Sequence, residues 1–387
     1  MVRGLNRGTL AAAARAARRH ATPFYLFDPE ALARAARAWR DVVRDASPAA
    51  VFYPYKCNRS REAVARLARE RLGAEVTTAE DFRLAWKLGV PAGAIVVQGP
   101  AKTGELLDAA ISAGALLVAD GPEDAEAILA RARASSAAPR YLLRLAPRAA
   151  TREQRPFGMA AKDLVAAASE IARRRAPAPL GLAFHLGTGI ASAEPYLRAL
   201  AETADVARAL ERVQEFRTDP ILDLGGGFAA TEESRLDAKA RPLGTARAPA
   251  GHAARLAREA RRLLGSRTTV LFEPGRALVS GAFHLVARVV RVREGPRPTV
   301  YLDASRASHA FFAGRGDHPI AALPRRAGRA RRATLAGPLG VELDVFARDL
   351  ALLPVRTGDL VVIGSVGAYN QNAASGWAGA VPGVVSA

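Results

Sequence analysis

Apolar and polar positions alternate in blocks along most of this chain. From about Thr22 to Arg276, short apolar runs are separated by longer stretches in which Ala, Leu and Arg recur at helical spacing. The runs are "PFYLFD", "AVFYPYK", "GAEVTT", "AIVVQG", "ALLVAD", "YLLRLAP", "GLAFHLG", "PILDLGGG" and "TVLFEPGR". Between them lie stretches such as "SREAVARLARERL", "AEDFRLAWKLG" and "AEPYLRALAETADVARALERV", which read as amphipathic helices. Strands alternating with helices of this length predict βα units and a parallel sheet. Eight such units in about 250 residues fit a closed (β/α)8 TIM-like barrel. A doubly wound sheet fits the alternation too, but no G-x-G-x-x-G near the start favours it.

After about Ser280 the texture changes. "FHLVARVVRVRE", "PTVYLDAS", "ATLAGPLG" and "GDLVVIGSVGAY" are strand-like, with turn signals and little helix between them. The expectation is an α/β chain of two domains: a barrel over 22–280 and a C-terminal β-rich domain over 281–387, with 1–21 packing on the latter. The Arg/Gly/Pro-rich segment from Phe311 and Phe312 reads as a mobile loop and an edge strand. The basic, Ala-rich start lacks an apolar signal-peptide core; it suits an amphipathic surface helix, although a transit peptide has a similar composition.

Composition changes the picture in a few places only. The chain has 387 residues and a formal charge of +19, which raises the question of an acidic partner. The basic residues are spread from end to end among alanines, with no basic stripe interleaved with aromatics, so neither nucleic acid nor metal is expected. No run of about 18 apolar residues predicts a membrane span. The single cysteine excludes an internal disulfide and suits a reducing cytoplasm.

The cations are written almost entirely as arginine. Lysine appears 5 times, at Lys56, Lys87, Lys102, Lys162 and Lys239. Lys56 closes an apolar strand, "VFYPYKCN", and in a barrel chemistry gathers at the C-terminal ends of strands. Reading those ends gives Lys56, His185, Gly225-Gly226-Gly227 and Glu273-Pro274-Gly275-Arg276. A strand-end lysine with apolar neighbours is where a Schiff-base lysine belongs, its pKa lowered by desolvation. Three glycines let backbone N–H groups close on a phosphate. Glu273 suits a protonated ring nitrogen, Arg276 a phosphate, and His185 the face of a planar ring. Each feature alone has an ordinary structural explanation. Together they suit an aldehyde cofactor with a phosphate and a basic ring nitrogen, which is pyridoxal 5'-phosphate.

On these motifs the chain resembles the fold-type III pyridoxal-phosphate decarboxylases, the ornithine/diaminopimelate decarboxylase family with an alanine-racemase-like barrel. "TPFYLFD", "YPYKCN", "GAEVTTAEDFRLAWKLGV", "QGPAKTGELLDAAISAGALLVADGPEDAEAI", "YLLRLAP", "FHLGTG", "LDLGGGF", "EPGR" and "GDLVVIGSVGAY" follow in the family's order over nearly the whole chain. The resemblance implies that Lys56 binds the cofactor's aldehyde covalently and that His185 stacks on its ring. It implies a phosphate cup of Thr188, Gly225, Gly226, Gly227, Gly275, Arg276 and Tyr369. Glu273 would keep the ring nitrogen protonated, and Glu75 stands where the family has an Asp behind the cofactor. A guanidinium cannot form an imine at neutral pH, so position 56 must be lysine.

The substrate half departs from the family's pattern. Its catalytic cysteine lies in a Gly-Pro-x-Cys-(Asp/Glu) loop that reaches the partner subunit's site. Here "GPLGVELD" puts Gly340 at the Cys and Val341 at the acid. Phe-Asn-Gly near the C-terminus is replaced by Trp377-Ala378-Gly379, and Arg155-Pro156 stands before Phe157-Gly158. Cys57 is a poor substitute thiol, since alternation turns it away from Lys56. The resemblance implies a cytoplasmic, homodimeric decarboxylase with a composite site. Its amino-acid-like substrate is expected to be other than a simple basic diamino acid, with a carrier-protein-bound form possible in principle. A racemase on the same fold, or a catalytically altered cofactor-binding homologue, is the alternative. For the proton donor, His309, water and the Lys56 ammonium stay open.

Overall fold

In the computed structural model, all residues are described except 1–4, 214–218, 233, 236–243, 247 and 312–315. Lys239 and the segment from Phe312 to Arg315 therefore lie outside the described residues. The chain opens with α1 (Arg7–Ala16), β1 (Phe24–Phe27) and α2 (Pro29–Asp45). Asp28 caps α2, its Oδ1 accepting the Ala31 N–H at 2.8 Å, and Pro29 sits in its first turn. Leu32, Ala36, Trp39 and Val43 recur at three- and four-residue spacing and are all buried, so one face of the helix meets the core.

Eight strands then close a parallel barrel: β2 (Ala49–Pro54), β3 (Gly73–Val76), β4 (Ile95–Val97), β5 (Leu116–Ala119), β6 (Arg140–Leu145), β7 (Gly181–Phe184), β8 (Ile221–Asp223) and, after the two-residue β9 (Ser234–Arg235), β10 (Thr269–Phe272). β10 pairs with both β8 and β2, which completes the ring. Helices between the strands cover the outside, among them α5 (Gly104–Ala113), α6 (Pro122–Ala134), α7 (Ala161–Arg173), α8 (Glu194–Glu211) and α9 (Gly251–Leu264).

Strand alternation divides the interior into two levels. Phe52, Val96, Leu116, Val118, Leu142, Ala183 and Leu271 point inward and form one apolar plug. Two residues further along the same strands, on the same face, come Gln98, Asp120, Arg144, His185 and Glu273. The barrel is thus sealed with hydrocarbon below and lined with polar groups above.

The second unit is a mixed sheet. Its main path runs β14 (Ile320–Leu323), β17 (Leu360–Ile363), β11 (Phe283–Arg293), β12 (Thr299–Leu302), β15 (Arg331–Ala336), β16 (Val345–Leu352). β13 (Gly316–Asp317) pairs with β9 outside this sheet. The edge strand expected beyond Phe311 is β14, which pairs with β17 alone. β16 and β18 (Val384–Ser386) were not read from the pattern.

The first apolar run corrects the sequence reading. β1 belongs to this second sheet: it lies antiparallel to β11 and parallel to β18. The barrel therefore begins at β2, although the expected boundary was residue 22. The reason is that β1 buries both faces. Phe24 and Leu26 pack with Ala12, Ala13 and Ala16 of α1, while Tyr25 and Phe27 join the main core. A run buried on two sides reads like a central parallel strand.

Segment 367–372 ties the sheet to the barrel beside Lys56. Asn58 Nδ2 donates to the Gly367 carbonyl at 3.0 Å, the Tyr369 N–H to the Cys57 carbonyl at 2.6 Å, and Asn372 Nδ2 to the Lys56 carbonyl at 3.1 Å. Among the described residues, no helix is long and apolar enough to cross a membrane.

Candidate active site

A cavity of about 470 Å³ opens at the C-terminal ends of the barrel strands. Lys56, His185, Thr188, Gly226, Gly227, Glu273, Gly275, Arg276 and Tyr369 all line it. Glu75 and Gly225 stand behind the lining. The structure therefore gathers the whole set drawn from the sequence around one space.

Lys56 sits in the turn after β2, and its side chain is about half exposed to the cavity while Glu75 is fully buried. The ammonium sits 2.6 Å from each Glu75 oxygen. Burial works against its charge, but Glu75 and Glu273 outweigh that, and the pKa lies above the ordinary lysine value. This corrects the expectation of a pKa lowered by desolvation: two carboxylates face the lysine. Burial in turn raises Glu75 to about 7, against the pull of Lys56. Cys57 is buried in the outer core, turned away from the cavity as alternation requires.

His185 follows β7. Burial, with Arg144 and Lys56 nearby, pushes its pKa down to about 3. Its Nδ1 accepts the Gly226 N–H at 3.2 Å. The ring is therefore neutral, and it is fixed in orientation from the glycine loop.

The glycine loop after β8 admits no side chain. Gly225 and Gly227 have φ of +63° and +93°, a region costly for other residues. A Cβ on Gly226 would fall 2.3 Å from the Glu273 carbonyl oxygen. The loop is held from behind by Tyr196 of α8, whose hydroxyl donates to the Gly226 carbonyl at 2.7 Å. Tyr196 in turn stacks on Phe228 at 4.8 Å. Opposite the loop, buried Arg276 approaches Thr188 Oγ1 at 3.4 Å and lies over the Tyr369 ring at 5.3 Å.

Several residues of the upper interior level were missed by the sequence reading. Gln98 closes "AIVVQG", Asp120 "ALLVAD", Asp223 "PILDLGGG", and Arg144 interrupts "YLLRLAP". A polar residue on the inward register of an apolar run was the available signal. Arg144 pairs with Asp120 at 2.6 Å and lies 5.5 Å over the Phe157 ring. The Lys102 side chain is fully buried; it contacts Asp124 and donates to the Gly99 carbonyl at 2.6 Å. Burial lowers its pKa.

The substrate-half residues lie elsewhere. Gly340 is exposed with φ +67°, in the hairpin between β15 and β16, and neither it nor Val341 lines this cavity. His309 is 1% exposed and its Nδ1 accepts the Ser305 N–H at 3.2 Å; it does not line the cavity either. Gln154 and Phe157 line the mouth, and Arg152 and Arg155 beside them are exposed.

These features fit pyridoxal phosphate. The side-chain-free loop and Arg276 suit a phosphate, Glu273 suits a ring nitrogen, neutral His185 a ring face, and Lys56 an aldehyde. Such a barrel, with one lysine projecting among buried carboxylates, defines a fold-type III pyridoxal-phosphate enzyme. Residues 30–280 match the family model of the pyridoxal-dependent decarboxylases, pyridoxal binding domain, and the chain belongs to that family. It is 26% identical to a diaminopimelate decarboxylase of Zymomonas mobilis, across 93% of this chain and 86% of the relative. It is also 26% identical to the L-glutamyl-[BtrI acyl-carrier protein] decarboxylase of Niallia circulans, across 91% and 85%. The fold is similar to that of the lysine/ornithine decarboxylase of Vibrio vulnificus complexed with cadaverine, with a TM-score of 0.83, 22% identity and 99% of each chain covered.

Proposed function

We propose that this pyridoxal-phosphate-dependent decarboxylase removes the α-carboxylate of an amino-acid substrate whose far end is not a free ammonium. The observation that carries the reading is the β15–β16 hairpin, where Gly340 offers no proton and Val341 no charge. When bound, the cofactor supplies an electron sink for the carbanion left by loss of CO2. Lys56 would hold the aldehyde, and its amine is the group placed to carry a proton on that side of the cavity. Neutral His185 covers the ring face without competing for a proton. Glu273 would hold the ring nitrogen, and Arg276 with the glycine loop would anchor the phosphate.

An unpaired ammonium in such a pocket costs several kcal/mol. Exposed Arg152 and Arg155 beside the mouth suit an anionic substrate end instead. A substrate carried on an acidic protein is compatible with this, as one relative's name illustrates. We further read the protein as a cytoplasmic homodimer with two structural domains, the hairpin of one subunit facing the cavity of the other.

The test is CO2 release from free ornithine, lysine and diaminopimelate, beside glutamate, apolar amino acids and glutamyl thioesters on an acyl carrier. Efficient turnover of a free diamino acid refutes the reading of the hairpin. Loss of optical rotation without CO2 release would mean a racemase instead.

A further inference from the structure

Asp223 and Gln98 were absent from the set drawn from the sequence, yet they form the floor on which Glu273 rests. Gln98 Nε2 donates to Asp223 Oδ2 at 3.2 Å and to Glu273 Oε1 at 2.9 Å. The two carboxyls also share a hydrogen bond with each other. Asp223 Oδ1 accepts the Gly225 N–H at 2.8 Å. Asp223 is fully buried and Glu273 nearly so. One small carboxylate thus touches both the group that faces the ring nitrogen and the first residue of the phosphate loop.

The charges around this pair are already engaged. Lys56 is bound by Glu75 and Arg144 by Asp120, while His185 is neutral. The negative charge of the pair is met by Lys56, which faces Glu273, and by the amide donors Gln98 Nε2 and the Gly225 N–H. Two carboxyls in hydrogen-bond contact away from water hold a proton between them. Burial, followed by the Asp223 charge, raises Glu273 to about 8, and burial raises Asp223 to about 6.

We propose that Asp223 is a positioning residue that, with Gln98, aims the Glu273 carboxyl at the cofactor's ring nitrogen and adds a second negative charge that keeps that nitrogen protonated. The proposal rests on the reading of the cavity as the pyridoxal-phosphate site. A cation at the ring position draws the shared proton off the pair, and both carboxylates then stabilise it. With Asp223 changed to Asn, Glu273 faces the ring with one charge where there were two.

The experiment is the nitrogen-15 chemical shift of ring-labelled pyridoxal phosphate bound to the full-length protein, followed from pH 6 to pH 9.5. The shift reads protonation of the ring nitrogen directly, which a merely structural role of Asp223 would leave unmoved. In Asp223→Asn the midpoint for loss of the proton falls by about one pH unit or more, and the Kd for pyridoxal phosphate rises several-fold. Gln98→Met, which keeps both carboxyls and removes the bridging donor, moves the midpoint in the same direction. It carries the test if Asp223→Asn does not fold. Titration curves that coincide with that of the unsubstituted protein overturn the role of Asp223 and Gln98 alone. Absence of a bound signal in the unsubstituted protein overturns the cofactor reading and this proposal with it.

Discussion

At Lys56 the local rule and the tertiary context pull in opposite directions. A strand-end lysine among apolar residues invites a lowered pKa, but the register of β3 and β10 brings Glu75 and Glu273 to the same level. Borohydride reduction of the cofactor-loaded protein, followed by peptide mapping, is expected to place the pyridoxyl group on Lys56. Label on Lys102 would overturn the assignment, because the Lys102 side chain is fully buried and its pKa is lowered. For Glu273 the sign of the pH effect follows from linkage. Its pKa is raised to about 8 in the fold, against roughly 4.3 unfolded. The native state therefore holds its proton more tightly, and stability falls as pH rises through that interval. In the apoprotein, Glu273→Gln should gain stability relative to the parent as pH rises from about 5 to about 8, by the order of 1–2 kcal/mol. Thermal melts of both proteins across that range check this; parallel curves would refute it. The same substitution slows turnover by about a hundredfold, about 2.7 kcal/mol, because the amide carries no charge for the ring nitrogen.

At the scale of elements, the glycine loop proposed to cup the phosphate is shaped by what cannot be added to it. Gly226→Ala would drive a methyl into the Glu273 backbone, which cannot yield as a side-chain tip does. A loss of about 2 kcal/mol in stability and a tenfold or greater weakening of cofactor binding are expected, by melting and by cofactor titration. Tyr196→Phe is the milder probe. It leaves the Gly226 carbonyl without its hydroxyl donor, at a cost of about 1–2 kcal/mol, and loosens the cup without altering its lining. Unchanged cofactor affinity would show that Tyr196 supports the fold only. The glycines, the lysine and the Glu-Pro-Gly-Arg turn were legible because their chemistry is written in consecutive letters at strand ends. Asp223, Gln98 and Arg144 were not, since a lone polar residue in an apolar run gains meaning only once the barrel register sets it beside the others. β1 was misplaced for a related reason. "PFYLFD" is apolar on both faces, and nothing local says which sheet covers it; its partners, β11 and β18, lie more than 250 residues away in sequence.

At the scale of the whole molecule, the charge and the site raise separate questions. Much of the arginine is spent in pairs along helix surfaces, such as Arg262 with Glu259 and Arg173 with Glu170. Such exposed pairs contribute little and place both signs of charge on the same surface. Duplex DNA binding is therefore expected to vanish at moderate salt; tight binding with the steep salt slope of several phosphate contacts would contradict this. On the proposed reading, a second subunit completes the site. Its mouth carries Gln154, Phe157 and nearby arginines, while Gly340 and Val341 project from the far sheet without reaching the cavity of their own chain. Leu343, close to Val341 in sequence, and Trp377 near the C-terminus are more than half exposed, apolar area of the kind that subunit contacts cover. If two copies pack so that each hairpin enters the other's cavity, inactivating changes in the two halves must complement. Lys56→Ala removes the cofactor lysine, and Val341→Arg puts a bulky cation at the hairpin. Each homodimer alone is expected to be almost inactive. Unfolded together and reassembled in equal amounts, half the dimers pair one variant with the other, and each such dimer holds one intact site. Activity should then recover to about a quarter of the parent, on whichever substrate releases CO2 in the panel. Dimers that form and stay inactive in the mixture would show that each cavity is served by its own chain, and the hairpin would lose its place in substrate selection.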